Sequence, residues 1–189
     1  MRVRRRSSRG RSQGNSQVRQ LIVIRHAIAH ERNDSTWPND DERPLTEEGV
    51  KKFRVAARGL AWWIDPPEEL LTSSLKRAQQ TADILEREAG FPAALDIAEL
   101  RPDAKPAAVI AALRKRRATR IAIVGHEPNL SVLIGALLRG GDSRTLLELK
   151  KGAVAQLDFV NGIEAGKGKL VALLPPRVLR RLARSKKND

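Results

Sequence analysis

A chain of 189 residues, 41% of them apolar, suits one domain with a sizeable core. With no cysteine it has neither a disulfide framework nor a thiolate metal site, and its three histidines are the only imidazoles available as ligands. The net charge of +14 resembles a nucleic-acid footprint, but it sits at the ends: residues 1–20 hold seven arginines and no acid, residues 177–189 six basic residues and one acid, and taking these from 36 basic and 22 acidic residues leaves 23 against 21 between them.

Met1 to Gln20 is rich in Arg, Ser, Gly and Gln and lacks the apolar side chains that would offset its ordering entropy, so it reads as a disordered basic arm. Three meanings stay open for it: a solvated start, electrostatic contact with RNA, membrane phosphates or polyphosphate, or an organelle address. No apolar run reaches the roughly 18 residues of a membrane span, and no apolar stretch follows the basic start as a signal peptide requires. A soluble, cytoplasmic protein is the expectation.

Leu21 to Ile24 is a short β-branched run of the kind given by a strand buried on both faces. A polar stretch, His30 to Arg43, leads through Pro44-Leu45 to Thr46, an N-cap for a helix carrying Val50, Phe53, Ala57, Leu60 and Ile64 at helical spacing. That helix ends before Pro66-Pro67, and Trp62 and Trp63 near its end read as one core and one partly exposed residue. Glu69 to Thr72 is a second strand, after which Ser73 or Ser74 can cap a helix from Leu75 to about Ala89, stopped by Gly90.

Pro106 opens the next helix ahead of Val109, Ile110 and Leu113. Arg120 to Gly125 is another buried strand, feeding a helix from about Asn129, read as its cap, to Leu138, closed by Gly140-Gly141. Ala153 to Phe159 and Lys169 to Leu174 read as a final hairpin, and residues 177–189 as a basic tail. The alternation predicts one α/β domain over residues 21–176, three-layered, with a mostly parallel central sheet and helices on both faces.

Open α/β sheets bind ligands beyond the carboxyl ends of their strands, and three such ends carry polar residues here. The first ends in Arg25-His26, the second runs into Ser73-Ser74-Leu75-Lys76-Arg77, and the Arg120 to Gly125 strand ends in His126. Guanidiniums grip tetrahedral phosphate oxygens through their planar fork, and helix N-termini at Ser74 and Asn129 can add backbone donors. A neutral histidine is a competent nucleophile toward phosphorus while a second, protonated one holds the equatorial oxygens. Arg43 stands between packing its own loop and touching the phosphate. His30 reads as an exposed loop residue, and with Glu31 it makes no metal site.

Arg25-His26, the segment Leu71 to Ala82 and Gly125-His126 resemble the histidine phosphatase superfamily, which implies a phosphoglycerate-mutase-like fold. Arg43 to Gly49 and the small size resemble its SixA-like branch, bacterial protein-phosphohistidine phosphatases of signal transduction, and the similarity spans about Leu21 to Pro175. The resemblance implies that His26 is the phosphorylated nucleophile and that Arg25, Arg77 and His126 bind phosphate, with no cofactor or metal required; Arg43 and Ser74 are separate candidates for further phosphate contacts. It places Glu99 where many relatives carry an acidic proton donor.

Two features depart from the family. Ala27 follows the nucleophile where glycine is usual, a position suggesting backbone room or an unusual dihedral. The short segment after His26 also lacks the longer substrate-capping insertions of sugar-phosphate enzymes, which implies an open site for a phosphohistidine on a protein surface. The alternatives are a small-metabolite phosphatase or mutase acting on phosphoesters, and a non-catalytic anion-binding module tethered to RNA or polyphosphate by the basic ends.

Overall fold

A computed structural model describes residues 18–140 and 147–185. The readings of residues 1–17 as a disordered arm, of Gly141 as a helix stop and of residues 186–189 as tail lie outside the described residues. Among the described residues six strands, β1 (Val18–Arg25), β2 (Glu69–Thr72), β3 (Ala94–Asp96), β4 (Arg120–Gly125), β5 (Val154–Val160) and β6 (Lys169–Leu174), form one sheet of order β3-β2-β4-β1-β5-β6. The first four run parallel to one another, and β5 and β6 run antiparallel to their neighbours as the final hairpin.

Five α-helices among the described residues, α1 (Glu47–Leu60), α2 (Lys76–Ala89), α3 (Pro106–Arg114), α4 (Asn129–Arg139) and α5 (Pro176–Ser185), cover both faces of this sheet. The three layers follow from the period-2 alternation of β1, whose central residues are fully buried. Ile22 and Ile24 face Phe53, Leu60, Leu85 and Leu179 of α1, α2 and α5, whereas Leu21 and Val23 face Val109, Leu113, Leu133 and Leu137 of α3 and α4. None of the described helices is long and apolar enough to cross a membrane.

Local chemistry fixes the helix starts unevenly. Thr46 caps α1 as its position suggests, its Oγ1 accepting from Gly49 N at 2.9 Å. Neither Ser73 nor Ser74 caps α2: the N-cap residue is Leu75, without a side-chain cap bond. Asn129 is not a cap either. Pro128 holds that position, and the Asn129 amide donates to the Arg101 and Ala104 carbonyls at 3.2 and 2.7 Å, tying the α3 approach to α4.

Three further expectations change. β1 begins at Val18 rather than Leu21, because Val18, Arg19 and Gln20 pair with Val160, Phe159 and Asp158 and the Arg19 guanidinium donates to the Arg116 and Ala118 carbonyls. Those bonds satisfy an extended backbone whose side chains give no apolar signal. Residues 177–185, read as tail, belong to α5: Leu179 is fully buried and Leu182 partly so, both against the α1 layer, a stripe hidden in sequence among Arg177, Arg180, Arg181 and Arg184. Trp62 and Trp63 are both exposed, at 58% and 47%, because α1 ends at Leu60 and the chain leaves the helical stripe there.

Candidate active site

The site follows from strand order. β1 and β4 are adjacent and parallel, with Arg25 in register with Gly125, so the residues that come next, His26 and His126, emerge side by side. Neighbouring strands lie about 4.8 Å apart, and the two imidazole centroids are separated by 5.1 Å at an interplanar angle of 51°. β2 flanks β4 on its other side, and α2, which follows it, brings Arg77 in from its first turn. The four residues singled out thus stand at or just beyond the ends of three adjacent strands.

His26 is buried, and its Nδ1 lies 2.7 Å from the Ala27 carbonyl. A carbonyl oxygen can only accept, so Nδ1 carries the proton and Nε2 keeps its lone pair. Burial lowers the His26 pKa to about 3, against the opposing Ala27 bond and with help from Arg77, Arg25 and Lys151. His126 is pushed to about 2, by burial first and then by His26 and Arg77, and neither of its buried ring nitrogens has a hydrogen-bond partner among the described residues. Both imidazoles are therefore neutral at physiological pH.

The two guanidiniums are each held from one side. Arg25 donates through Nη1 to the Leu149 carbonyl at 2.5 Å, with the exposed Glu148 carboxylate 3.7 Å from the same atom. Arg77 donates through Nη1 to the Asp40 carbonyl at 2.9 Å and places Nη2 3.0 Å from Asp40 Oδ2. The buried Nε atoms of both arginines lack a partner among the described residues, as do both nitrogens of His126. Buried, unpartnered polar atoms on cationic and imidazole side chains at neighbouring strand ends are what a tetrahedral oxyanion can satisfy.

The remaining expected residues are placed differently. Arg43 packs its own loop, donating to Asp40 Oδ1 at 2.7 Å and to the His30 carbonyl at 2.6 Å. Ser74 is exposed, and its Oγ accepts from Arg101 at 3.0 Å. Glu99 is half-buried in the short 3-10 turn Ala98–Leu100 after β3, and its carboxylate makes no hydrogen bond or ion pair among the described residues. His30 is exposed as expected and stacks at 5.8 Å on Trp37.

Ala27 is accommodated without strain. Asn161 is the one non-glycine with positive φ among the described residues, so the alanine sits in ordinary backbone, buried, with its N donating to Thr81 Oγ1 at 3.0 Å. Sequence reasoning missed Asp40 and Glu127. Asp40 stands three residues before Arg43, the spacing of a turn-closing ion pair, and its carboxyl is held below the usual range, by the Arg43 hydrogen bond first. Glu127 follows His126 directly, which was its one available signal.

Two neutral imidazoles and two guanidiniums at neighbouring strand ends of a three-layer α/β fold form a set chemically suited to holding a phosphoryl group. Residues 21–101 match the family model of the histidine phosphatase superfamily, branch 1. An uncharacterized protein of a Picosynechococcus species is 33% identical over 141 residues, covering 73% of this chain and 84% of that protein. The structure of the protein histidine phosphatase SixA complexed with tungstate superposes with a TM-score of 0.72 at 25% identity, covering 85% of this chain and 99% of that one. A phosphoserine phosphatase from Entamoeba histolytica shares the fold alone, with a TM-score of 0.62 at 16% identity over 85% of this chain and 98% of its own. The chain belongs to the histidine phosphatase superfamily and is SixA-like.

Proposed function

We propose that this phosphatase hydrolyses phosphohistidine on a protein surface through a phosphoryl group carried by His26 Nε2. The observation that carries the reading is the Nδ1 bond to the Ala27 carbonyl, which leaves Nε2 unprotonated and fixed in a pocket of cations. In the first step Nε2 attacks phosphorus in line, the P–N bond of the substrate breaks, and the substrate imidazole leaves with a proton. In the second, water attacks phosphorus on His26, the P–Nε2 bond breaks and phosphate is released with the water's proton transferred to a base. Arg25, Arg77 and a His126 that gains a proton alongside the anion hold the equatorial oxygens. Glu99 takes the second proton, and gives the first wherever the leaving group needs an acid; an imidazole takes it from solvent.

In this reading these cations supply the charge neutralisation that a metal gives in other phosphatases, and turnover is expected to be unchanged by a chelator. The choice of a protein substrate is supported by the segment from Ile28 to Thr46, whose one helical element is the 3-10 turn Asp40–Glu42 and which adds no capping domain over the strand ends. It is supported further by the SixA likeness. The experiment is a direct comparison of a labelled phosphohistidine carrier protein with a panel of small phosphoesters. Faster dephosphorylation of the carrier is expected, with a loss of roughly 10⁴-fold or more in His26→Ala. Wild-type turnover in that variant would exclude His26 as nucleophile, and a preference for sugar phosphates would reassign the substrate.

A further inference from the structure

Glu127 lies one residue beyond His126, yet it points away from the paired imidazoles and into the segment that closes the other side of the pocket. Its Oε1 accepts from Ser131 Oγ at 2.7 Å, one turn into α4, and from Leu149 N at 3.0 Å. Ser131 is fully buried, so this carboxylate oxygen is anchored to the helix rather than to solvent. Leu149, itself fully buried, offers its carbonyl to Arg25 Nη1. The same segment is fastened to β1 a few residues later, where Gly152 N donates to the carbonyls of Arg25 and His26 at 3.2 and 3.1 Å.

The geometry points to Glu127 as a positioning residue for Arg25, acting through Leu149 to aim the guanidinium at the phosphate. The proposal rests on the reading of Arg25 as a phosphate ligand. Leu149 is gripped at its N–H by a charged acceptor and presents its carbonyl to the guanidinium, so the position of that carbonyl is set by Glu127. A competing acceptor waits beside it: Glu148 Oε1, on an 81% exposed side chain, is 3.7 Å from the same Nη1. With Leu149 released, Arg25 pairs with Glu148 and its unpartnered Nε shifts away from the neighbouring strand ends that carry His26 and His126. A carboxylate outside the pocket thereby sets the affinity of a site that binds anions.

The test measures the affinity of the full chain for inorganic phosphate, and KM and kcat, in Glu127→Ala, Glu127→Gln, Arg25→Ala and the double variant Glu127→Ala with Arg25→Ala. Glu127→Ala is expected to weaken phosphate binding and raise KM about tenfold, the order of losing a hydrogen bond to a charged group. Glu127→Gln, whose amide oxygen still accepts from both donors, is expected to stay within about twofold of wild type. In the Arg25→Ala background, Glu127→Ala is expected to add nothing, because its effect passes through the missing guanidinium.

Equal losses in both backgrounds, or a Glu127→Gln as impaired as the alanine variant, would overturn the relay while leaving Arg25 a phosphate ligand. Unchanged affinity in Arg25→Ala alone would overturn the phosphate reading of Arg25 and the relay with it. Should Glu127→Ala not fold, Glu127→Asp, which keeps the charge but withdraws it by one methylene, carries the same expectation of a loss that vanishes without Arg25.

Discussion

His26 and His126 stand with ring centroids 5.1 Å apart and both uncharged, because burial and the nearby guanidiniums push their pKa values to about 3 and about 2. In the unfolded chain each titrates near 6.5. Below that pH the unfolded state binds protons that the folded state refuses, so stability is complete above pH 6.5 and is lost as the pH falls toward 3. At about pH 5 the loss amounts to roughly 2 kcal/mol for each histidine. Urea unfolding followed against pH checks this: the wild type should weaken over that window, whereas a His26→Asn, His126→Asn double variant should lose markedly less.

An oxyanion reverses the electrostatics at His126. Its two unpartnered nitrogens and the neighbouring arginines surround the site, and a bound dianion favours the imidazolium that burial disfavours. Binding of phosphate or tungstate near neutral pH should therefore take up about one proton, read by calorimetry as a heat that varies with the ionisation enthalpy of the buffer. Buffer-independent heats would show that His126 stays neutral beside the anion. The His126→Gln variant should bind without proton uptake.

The backbone of α5 rests directly on α1 at Gly59, where an added Cβ would come within 1.8 Å of the Leu179 carbonyl oxygen. Gly59→Ala should accordingly push α5 outward and cost about 1–3 kcal/mol, and Leu179→Ala about 2–5 kcal/mol through the cavity it leaves. Both substitutions lie in the layer between α1 and α5, away from the strand ends. Thermal midpoints should fall while turnover per folded molecule at low temperature stays at the wild-type level.

Glu99 can be tested through the leaving group. An alkoxide needs a proton as the bond to phosphorus breaks, whereas an imidazole leaves readily once protonated by solvent. Glu99→Gln should then lower turnover of an alkyl phosphate on the order of 10²-fold and leave phosphohistidine hydrolysis much less affected. Equal losses on both substrates would remove Glu99 as the acid of the first step and confine it to the second, which they share, and no loss on either would remove it from proton transfer altogether.

Much of this molecule is written locally. The β-branched run of Leu21 to Ile24, the Thr46 cap and the Pro106 helix start are each fixed by a few adjacent residues, and each is found where the sequence indicates. The four residues at the strand ends drew notice for a related reason, since an α/β alternation carries polar loop residues beyond the carboxyl ends of its strands, while strand order decides which ends lie side by side. β3 was not legible, being a three-residue edge strand too short to alternate. The helical stripe of α5 was obscured by its arginines, and the two tryptophans depended on where α1 stops.

The sequence by itself determined the α/β class, the histidine and arginine set, and the short segment after His26, because these depend on residue type and on periodicity along the chain. Tertiary structure alone decided that β4 lies beside β1, which sets the imidazoles 5.1 Å apart, that Asp40 holds Arg77, and that Glu127 reaches Arg25 through Leu149. Those relations join residues 22 to 124 positions apart in the chain. No local propensity encodes such a pairing; it arises when the sheet order and its two buried faces bring distant loops to one edge.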